Sequence, residues 1–317
     1  MSSFGKIFKI TTFGEENSNS FGVIIDGCPS KLKICLQDIS KYLERYNVKG
    51  YINILSGVEF GETLGTPITI TILNSPTDDK FRVQQSYDNV TYHKKFGTHA
   101  TGLGRCSSRE NLSRLIAGAI AEKWLKSNTK INVLGWVSSV GMIECNLKME
   151  DMNKLTREII YRRNIKCPNR SKASKMFFLV SDIETRRDSV GGVITCICKN
   201  VPIGLGEPVF DKLESLLAHG MMSISGVNGF EIGFGFRGNH LIGSKHNNLL
   251  SKDGTNDGIQ AGISNGKNIS FRVSFKPPKI TKINYKGFVL NEMIPVVESM
   301  ANLVFMDLLL LQKYRKN

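Results

Sequence analysis

The spacing of apolar residues along the 317-residue chain predicts short strands interspersed with helices. The predicted strands cover residues 8–12, 22–26, 52–55, 68–73, 131–143, 193–198, 229–236 and 269–275. The predicted helices cover residues 38–46, 107–126, 149–163, 171–186, 210–221 and 295–313. Because strands and helices do not alternate in a strict βαβ repeat, the pattern predicts an α+β fold with helices on mainly antiparallel sheet. The sequence has no internal repeat or linker, and we predict one domain over residues 1–317.

The excess of basic residues in the chain has three possible explanations. Lys and Arg together number 42 against 28 for Asp and Glu, which gives a net charge of +14. Such a balance is typical of nucleic-acid binding, of a site for small anions, or of basic residues scattered over a solvated surface. No run of five like charges occurs, so we favour scattered charge with a small-anion site and expect no nucleic-acid partner.

The cysteines and the apolar segments argue against further classes of protein. Seven cysteines occur at irregular spacing without a C-x-x-C pair, which argues against a zinc site or a disulfide framework. We expect Cys196 and Cys198, which lie in an apolar strand, to be small buried apolar side chains, and we expect no bound metal. The N-terminal residues lack a signal pattern, and no apolar run is expected to reach the length of a membrane span. These features predict a cytoplasmic protein without a membrane partner.

The strongest local motif is the segment GLGRCSSREN at residues 102–111, at the start of the predicted helix 107–126. Its glycines allow close backbone approach to a ligand, and Arg105 carries donors suited to phosphate or carboxylate. Ser107 and Glu110 have the S-x-x-E spacing of a capping box, and a helix N-terminus attracts anions. Spacing alone does not separate an anion site from an ordinary loop-to-helix transition.

A second block of sequence is more specific. Residues 188–236 include GLGEPVFDKL at 204–213 and MMSI at 221–224. This text resembles the chorismate synthase family, and the resemblance runs over nearly the whole chain. It implies long central helices sandwiched between two mainly antiparallel sheets, assembled as a homotetramer. It also implies a lyase of the shikimate pathway to aromatic amino acids, which forms chorismate by anti 1,4-elimination of phosphate from 5-enolpyruvylshikimate 3-phosphate. The resemblance further implies that reduced FMN is required, although no net redox change occurs.

The resemblance also assigns residues to the flavin. Residues 102–111 match the family's GGGRSSARET, and residues 261–266 and 275–280 match its GGISNG and KPTSS in part. The implied FMN contacts are Arg105, Cys106, Ser107, Ser225, Gly226, Ala261, Lys276 and Pro277. The alternative for the loop glycines is a role in turns only, and for Lys276 an ordinary solvated lysine.

The family's acid–base positions are substituted in this chain. Its two histidines fall at Asn17 and Tyr87, and its catalytic aspartate falls at Lys286. An Asn side chain does not transfer protons near neutral pH, and a Tyr hydroxyl has an ordinary pKa of about 10. Each lost acid or base typically costs on the order of 10²–10⁴ in rate. The catalytic residues are therefore unknown, with Glu16, Tyr87 and His246 as open candidates.

The substrate-binding arginines are reduced as well. The family's RRRPG segment becomes RYNVKG at residues 45–50, which leaves fewer guanidinium groups for the phosphate and carboxylates of the substrate. Two hypotheses follow. The favoured one is a chorismate synthase. The alternative is a catalytically inactive paralogue that acts as a flavin-binding or subunit-partner protein.

Overall fold

The computed structural model describes residues 1–16, 18–48, 51–73, 87–100, 104–245, 258–279 and 286–316. The strands are β1 (Ser3–Phe4), β2 (Lys9–Phe13), β3 (Ser20–Asp26), β4 (Tyr51–Ser56), β5 (Val58–Glu59), β6 (Glu62–Thr63), β7 (Ile68–Leu73), β8 (Asn132–Val140), β9 (Ile143–Glu144), β10 (Gly192–Lys199), β11 (Val227–Ile232), β12 (Ile259–Gln260), β13 (Ile263–Ser264) and β14 (Ile269–Phe275). The helices are α1 (Leu36–Arg45), α2 (Tyr87–Phe96), α3 (Glu110–Asn128), α4 (Met149–Asn153), α5 (Arg157–Tyr161), α6 (Arg170–Thr185), α7 (Leu213–Met222) and α8 (Leu290–Lys316).

Two five-stranded sheets form the outer layers of the fold. Their strand orders are β1-β2-β3-β7-β4 and β11-β14-β10-β8-β9, and every neighbouring pair is antiparallel. Helix α3 packs on β2 and β3 of the first sheet, whereas α8 packs on β8 and β10 of the second. The two helices also pack on each other, so they form the central layer. The predicted α+β arrangement of long helices between two antiparallel sheets is confirmed.

The strand sequences fit their places in the second sheet. In β14, buried and partly exposed residues alternate, as expected for a strand with one face on the core. In β10, by contrast, residues Ile194 to Cys198 are all buried. This continuous burial arises because α8 covers one face of the sheet while a small cluster around Ile160 of α5 covers Ile197 on the other. As expected, Cys196 and Cys198 are buried apolar side chains.

Close approach of α3 and α8 depends on small residues. A Cβ atom at Gly118 would lie 2.7 Å from the Cα of Ser299, which is closer than carbon atoms approach without overlap. Glycine is therefore required at this crossing. This contact sets how closely α3 lies to α8. The N-terminal end of α3 carries the candidate binding motif.

The sequence-based expectation about membrane-spanning length is wrong for α8. Residues Leu290–Arg315 are long and apolar enough to span a bilayer by length and composition. However, 89% of the apolar window is buried inside the protein, between the two sheets. The helix is apolar on all sides because it is packed on all sides, which identifies it as a core helix rather than a membrane segment.

Several predicted elements have other bounds in the structure, and three of these differences stand out. The predicted helix 149–163 is divided into α4 and α5, because Thr156 accepts the Ile159 N–H at 3.4 Å and caps a new helix. The predicted strand 229–236 ends earlier, and the chain enters a 3₁₀ turn at Gly235–His240. The last helix begins at Leu290 rather than at residue 295.

Candidate active site

The N-terminus of α3 differs from the predicted capping box. A 3₁₀ turn at Gly104–Cys106 comes first, and α3 begins at Glu110 rather than at Ser107. The residue before it, Arg109, has helical dihedral angles (φ −60°, ψ −25°) and makes no side-chain cap. The capping-box prediction is wrong because the Glu110 carboxylate binds other side chains instead of the backbone of Ser107.

Those other side chains belong to the N-terminal TTFGE segment and to the glycine-rich turn. Arg105 donates from Nη1 to the carbonyl of Gly14 at 2.9 Å and from Nη2 to Oγ1 of Thr12 at 2.8 Å. It also forms an ion pair with Oε2 of Glu110 at 2.9 Å. The hydroxyl of Thr12 in turn donates to Oε1 of Glu110 at 2.8 Å. These contacts join the end of β2 to the start of α3 and fix the orientation of the Arg105 guanidinium.

A cleft with about 200 Å³ of empty space lies at this junction. Arg105, Arg109 and Ser107 line it together with Glu16 and Glu110. Arg109 donates to the carbonyl of Glu16 at 2.8 Å, so it supports the cleft wall. Part of this space is open solvent, and its enclosed part is about the size of one water molecule.

Arg114, which the sequence reasoning missed, links this junction to α7. It donates to Oγ of Ser223 at 2.6 Å and to the Ser223 carbonyl at 3.1 Å. Its Nε lies 3.6 Å from Oε1 of Glu110. Burial lowers the pKa of Arg114, and the charge of Glu110 opposes that change. The i,i+4 spacing of Glu110 and Arg114 was the available sequence signal, but it did not reveal the contact with Ser223.

Ser223 lies two residues before a second group of predicted residues. Lys276 donates its backbone N–H to the carbonyl of Gly226 at 3.0 Å, which brings Ser225 and Gly226 next to Lys276 and Pro277. Gly226 has φ +86°, a conformation that favours glycine. Ser225, Lys276 and Pro277 are exposed, so their polar groups are accessible to a ligand.

Ala261 is placed away from this group. It lies in the turn of the β12–β13 hairpin, where the Gly262 carbonyl accepts the N–H of Leu213 at the start of α7. Ser225 follows the other end of α7, a helix about 15 Å long at 1.5 Å per residue. The structure therefore separates Ala261 from Ser225 by the length of α7. Ala261 has φ +52°, which explains why a glycine suits this position in the family text.

Lys286 is ion-paired with Glu292. The neighbouring Gly287 carbonyl accepts the N–H of Val190 at 3.0 Å, and Gly191 is in close contact with Lys276 and Pro277. Position 286, which the resemblance assigns to the family's aspartate, is thus close to the second group of predicted residues. The positive charge of Lys286 faces a carboxylate rather than an open cleft.

Helix α2, which begins at Tyr87, borders the glycine-rich turn. A Cβ atom at Gly104 would lie 3.6 Å from the ring of Tyr92. On the same side of the turn, the rings of His93 and His99 stack with centroids 3.8 Å apart. The sequence assigns no catalytic role to either histidine, and only the structure reveals that they form a pair.

The remaining predicted residues differ in accessibility. Cys106 is exposed, whereas Ser107 is buried and its Oγ accepts the N–H of Arg109 at 3.3 Å. Asn17 and His246 lie outside the described residues. Within the part of the chain that the structure describes, no cluster of three His, Cys, Asp or Glu side chains is placed to hold a metal ion.

The family model for chorismate synthase matches residues 8–310. The chain is 39% identical to a chorismate synthase of Saccharomyces cerevisiae, in an alignment covering 99% of this chain and 98% of the yeast protein. It is 39% identical to chorismate synthase of Prochlorococcus marinus strain MIT 9515, with 98% of each chain covered. A crystal structure of chorismate synthase superposes with a TM-score of 0.78 at 25% identity, over 98% of this chain and 93% of that chain. This chain belongs to the chorismate synthase family.

Proposed function

We propose that this protein is a working chorismate synthase, which eliminates phosphate from 5-enolpyruvylshikimate 3-phosphate with the help of reduced FMN. Chorismate synthase is the function that the similarity over the whole chain supports. The observation that carries the proposal is the chain of contacts Arg105–Glu110–Arg114–Ser223. It joins two of the segments that the family uses for flavin, although the family's acid–base residues have changed.

The donor set fits an anionic flavin cofactor. Lys276 offers an exposed ammonium and Ser225 an exposed hydroxyl, and both suit a phosphate group. Arg105 is held by Thr12 and Glu110, which keeps its charge at one edge of the cleft. We propose that Cys106, Ser107, Gly226 and Pro277 complete this site through backbone and side-chain contacts. Ala261 belongs to a separate part of the proposed flavin surface.

Reduced FMN, if held by these residues, would supply electron density for a reaction that has no net redox change. The protein has to bind a substrate with one phosphate and two carboxylates in a fixed orientation. Arg109 lines the cleft and is placed to contribute positive charge. Arg45 is unsuited to this task, because its guanidinium is paired with the fully buried Glu298. Substrate binding is therefore assigned to the cleft arginines and to Lys276 rather than to the RYNVKG segment.

Assembly and location follow the family resemblance. We propose a homotetramer in the cytoplasm, with no nucleic-acid or membrane partner. Light scattering coupled to size-exclusion chromatography tests the assembly: a mass about four times 35.3 kDa is expected, and a stable monomer contradicts it.

The activity test is anaerobic incubation of the purified protein with chemically reduced FMN and 5-enolpyruvylshikimate 3-phosphate, following chorismate and phosphate. Product is expected above a no-protein control. Arg105→Lys should lower the activity, because lysine lacks the fork that binds Gly14 and Thr12. Arg186→Lys is the matched control, since Arg186 is an exposed residue paired with Asp182 on α6.

The alternative function, an inactive flavin-binding paralogue, is favoured by the lysine at position 286. It predicts that FMN binds to the folded protein while no chorismate forms. Product formation that is lost with Arg105→Lys and kept with Arg186→Lys rejects that alternative.

A further inference from the structure

The outward face of the first sheet consists of uncharged residues across all five strands. Side chains alternate between the two faces of a strand, so residues that pair across neighbouring strands share a face. Helix α3 packs on the inward face, which carries the buried Ile10, Val23 and Ile70. The register of the strands places a set of uncharged residues on the outward face: Ser3, Thr11, Phe13, Ser20, Gly22, Ile24, Tyr51, Asn53, Ser56, Thr69, Thr71 and Leu73. We call this surface the uncharged face.

The uncharged face is exposed and partly apolar. Tyr51 is 80% exposed, Leu73 50% and Ile24 39%. A solvated protein surface usually carries about 25–35% charged residues, and this chain has a net charge of +14. The outward face of the second sheet does carry charges, because Arg272 and Glu231 form an ion pair across β14 and β11. The composition of the uncharged face is therefore typical of a surface that another protein covers.

The size and the charge of this face suit a second copy of the same chain. Four of its strands are five to seven residues long. Five strands of this length, about 4.8 Å apart, cover roughly 24 by 20 Å. Two copies together contribute about 1,000 Å² of flat area, which reaches the lower limit of a specific interface. Because two copies with a charge of +14 repel each other, a face without charge is where they approach at the lowest electrostatic cost.

The uncharged face extends to the candidate cleft at Phe13. Phe13 is the last residue of β2, and it lines the cleft together with Arg105. Its ring also lies on the uncharged face, because a Cβ atom at Gly22 would be 2.9 Å from Cζ of Phe13. Part of the cleft is open to solvent. A partner docked over Phe13 therefore lies at the rim of the cleft.

We propose that the uncharged face of the first sheet is the docking surface for a second copy of this chain, and that the docked copy closes the rim of the cleft at Phe13. The two copies pack sheet on sheet about a twofold axis, so each contributes the same residues. The inference deepens the proposed homotetramer and rests on that part of the proposed function. It does not depend on which reaction the cleft performs.

The first test places a charge on β3, the middle strand of the face. Ile24→Lys adds an ammonium group to both copies within one contact, whereas Ile24→Thr, the matched control, keeps an uncharged β-branched side chain. Light scattering coupled to size-exclusion chromatography should give Ile24→Lys at most half of the wild-type mass and Ile24→Thr the full mass. Urea unfolding checks that both variants fold. Leu73→Lys, at an exposed position, replaces Ile24→Lys if that variant does not fold.

The second test locates the contact by chemical labelling. Tyr51→Cys introduces a thiol on the uncharged face, and a maleimide should label it about tenfold more slowly in the assembled protein than in the Ile24→Lys background, because an interface excludes solvent. Phe178→Cys is the matched control on α6, where Phe178 is 71% exposed, and it should react equally fast in both backgrounds. Peptide mass mapping separates these thiols from the exposed Cys35 and Cys106.

Each outcome decides between the inference and its alternatives. A folded Ile24→Lys variant with the wild-type mass, or fast labelling of Tyr51→Cys in the assembled protein, overturns the docking surface. Slow labelling in both backgrounds shows that the chain covers this face itself, which also overturns it. An equal Kd for FMN in Ile24→Lys and the wild type overturns the closure at Phe13. A monomeric wild type refutes the homotetramer together with this inference, whereas an assembled protein that forms no chorismate refutes only the proposed reaction.

Discussion

The link between α3 and α7 predicts that a residue away from the cleft controls flavin affinity. Arg114 donates two hydrogen bonds to Ser223, at 2.6 and 3.1 Å, and lies beside Glu110. We therefore consider Arg114→Lys, which keeps the positive charge but replaces the planar fork with a single ammonium. One of the two contacts with Ser223 should be lost.

The size of the effect follows from that lost contact. A hydrogen bond to a charged group contributes about 1.5–3 kcal/mol. Part of this loss appears as reduced stability, and part as misplacement of the segment that follows Ser223. If about 1.4 kcal/mol falls on the binding arrangement, the Kd for FMN rises about tenfold. Ser223→Ala removes the Oγ contact only and leaves the carbonyl contact, so a rise of about threefold is expected.

The assay is a titration of FMN fluorescence against protein, alongside urea unfolding of each variant. The link predicts that FMN binds most weakly to Arg114→Lys, more tightly to Ser223→Ala and most tightly to the wild type. If the free energy of unfolding falls in both variants while the Kd for FMN stays at the wild-type value, Arg114 only stabilises the fold and the link to the flavin segment is refuted.

Three further predictions concern the core. Glu298→Gln should cost about 1.5–3 kcal/mol in the free energy of unfolding, because it removes the buried charge that pairs with the partly buried Arg45 and Arg157; urea unfolding measures this, and a cost below about 1 kcal/mol contradicts it. Gly118→Ala should cost about 1–3 kcal/mol through overlap with Ser299, and an unchanged melting temperature would show that α3 shifts freely. Burial alone would raise the pKa of Glu122, but the charges of Arg157 and Lys126 outweigh burial and lower the pKa to about 2. The stabilising contribution of Glu122 is therefore present above pH 4.5 and lost as the pH falls towards 2. Glu122→Gln should reduce the change in the free energy of unfolding over this pH range, and an unchanged pH dependence contradicts the assignment.

The layered fold could be predicted from the sequence because its signals are local or familial. Alternation of apolar residues in β14 and the long apolar run of α8 specify their elements directly. Helix boundaries are less well specified by such signals. The division of residues 149–163 at Thr156 depends on one capping hydroxyl, and periodicity alone does not report it.

For the candidate site, by contrast, the sequence is informative about the segments but not about their contacts. Its segments could be found from motif text, but their connections could not. Glu110 has the spacing of a capping residue, yet its carboxylate binds Thr12, 98 residues earlier in the chain. Arg114 and Ser223 are 109 residues apart. Such contacts are set by tertiary packing and compete with local preferences.

Arg45 illustrates the same limit for charged residues. The family text places it in an arginine-rich substrate segment. Its partner Glu298 is 253 residues away, and the pair lies in the core beside the ring of Tyr42. Burial and pairing of this kind are invisible in a linear sequence, so a basic residue in a binding motif is not by itself a ligand.

The most direct test of the account is the stoichiometry of the elimination under anaerobic conditions. Wild-type protein with reduced FMN and 5-enolpyruvylshikimate 3-phosphate is followed simultaneously for chorismate, phosphate and the oxidation state of the flavin. A working chorismate synthase predicts one phosphate released per chorismate formed, with the flavin still reduced at the end. Folded protein that binds FMN but forms no chorismate would contradict the account and identify the chain as an inactive paralogue.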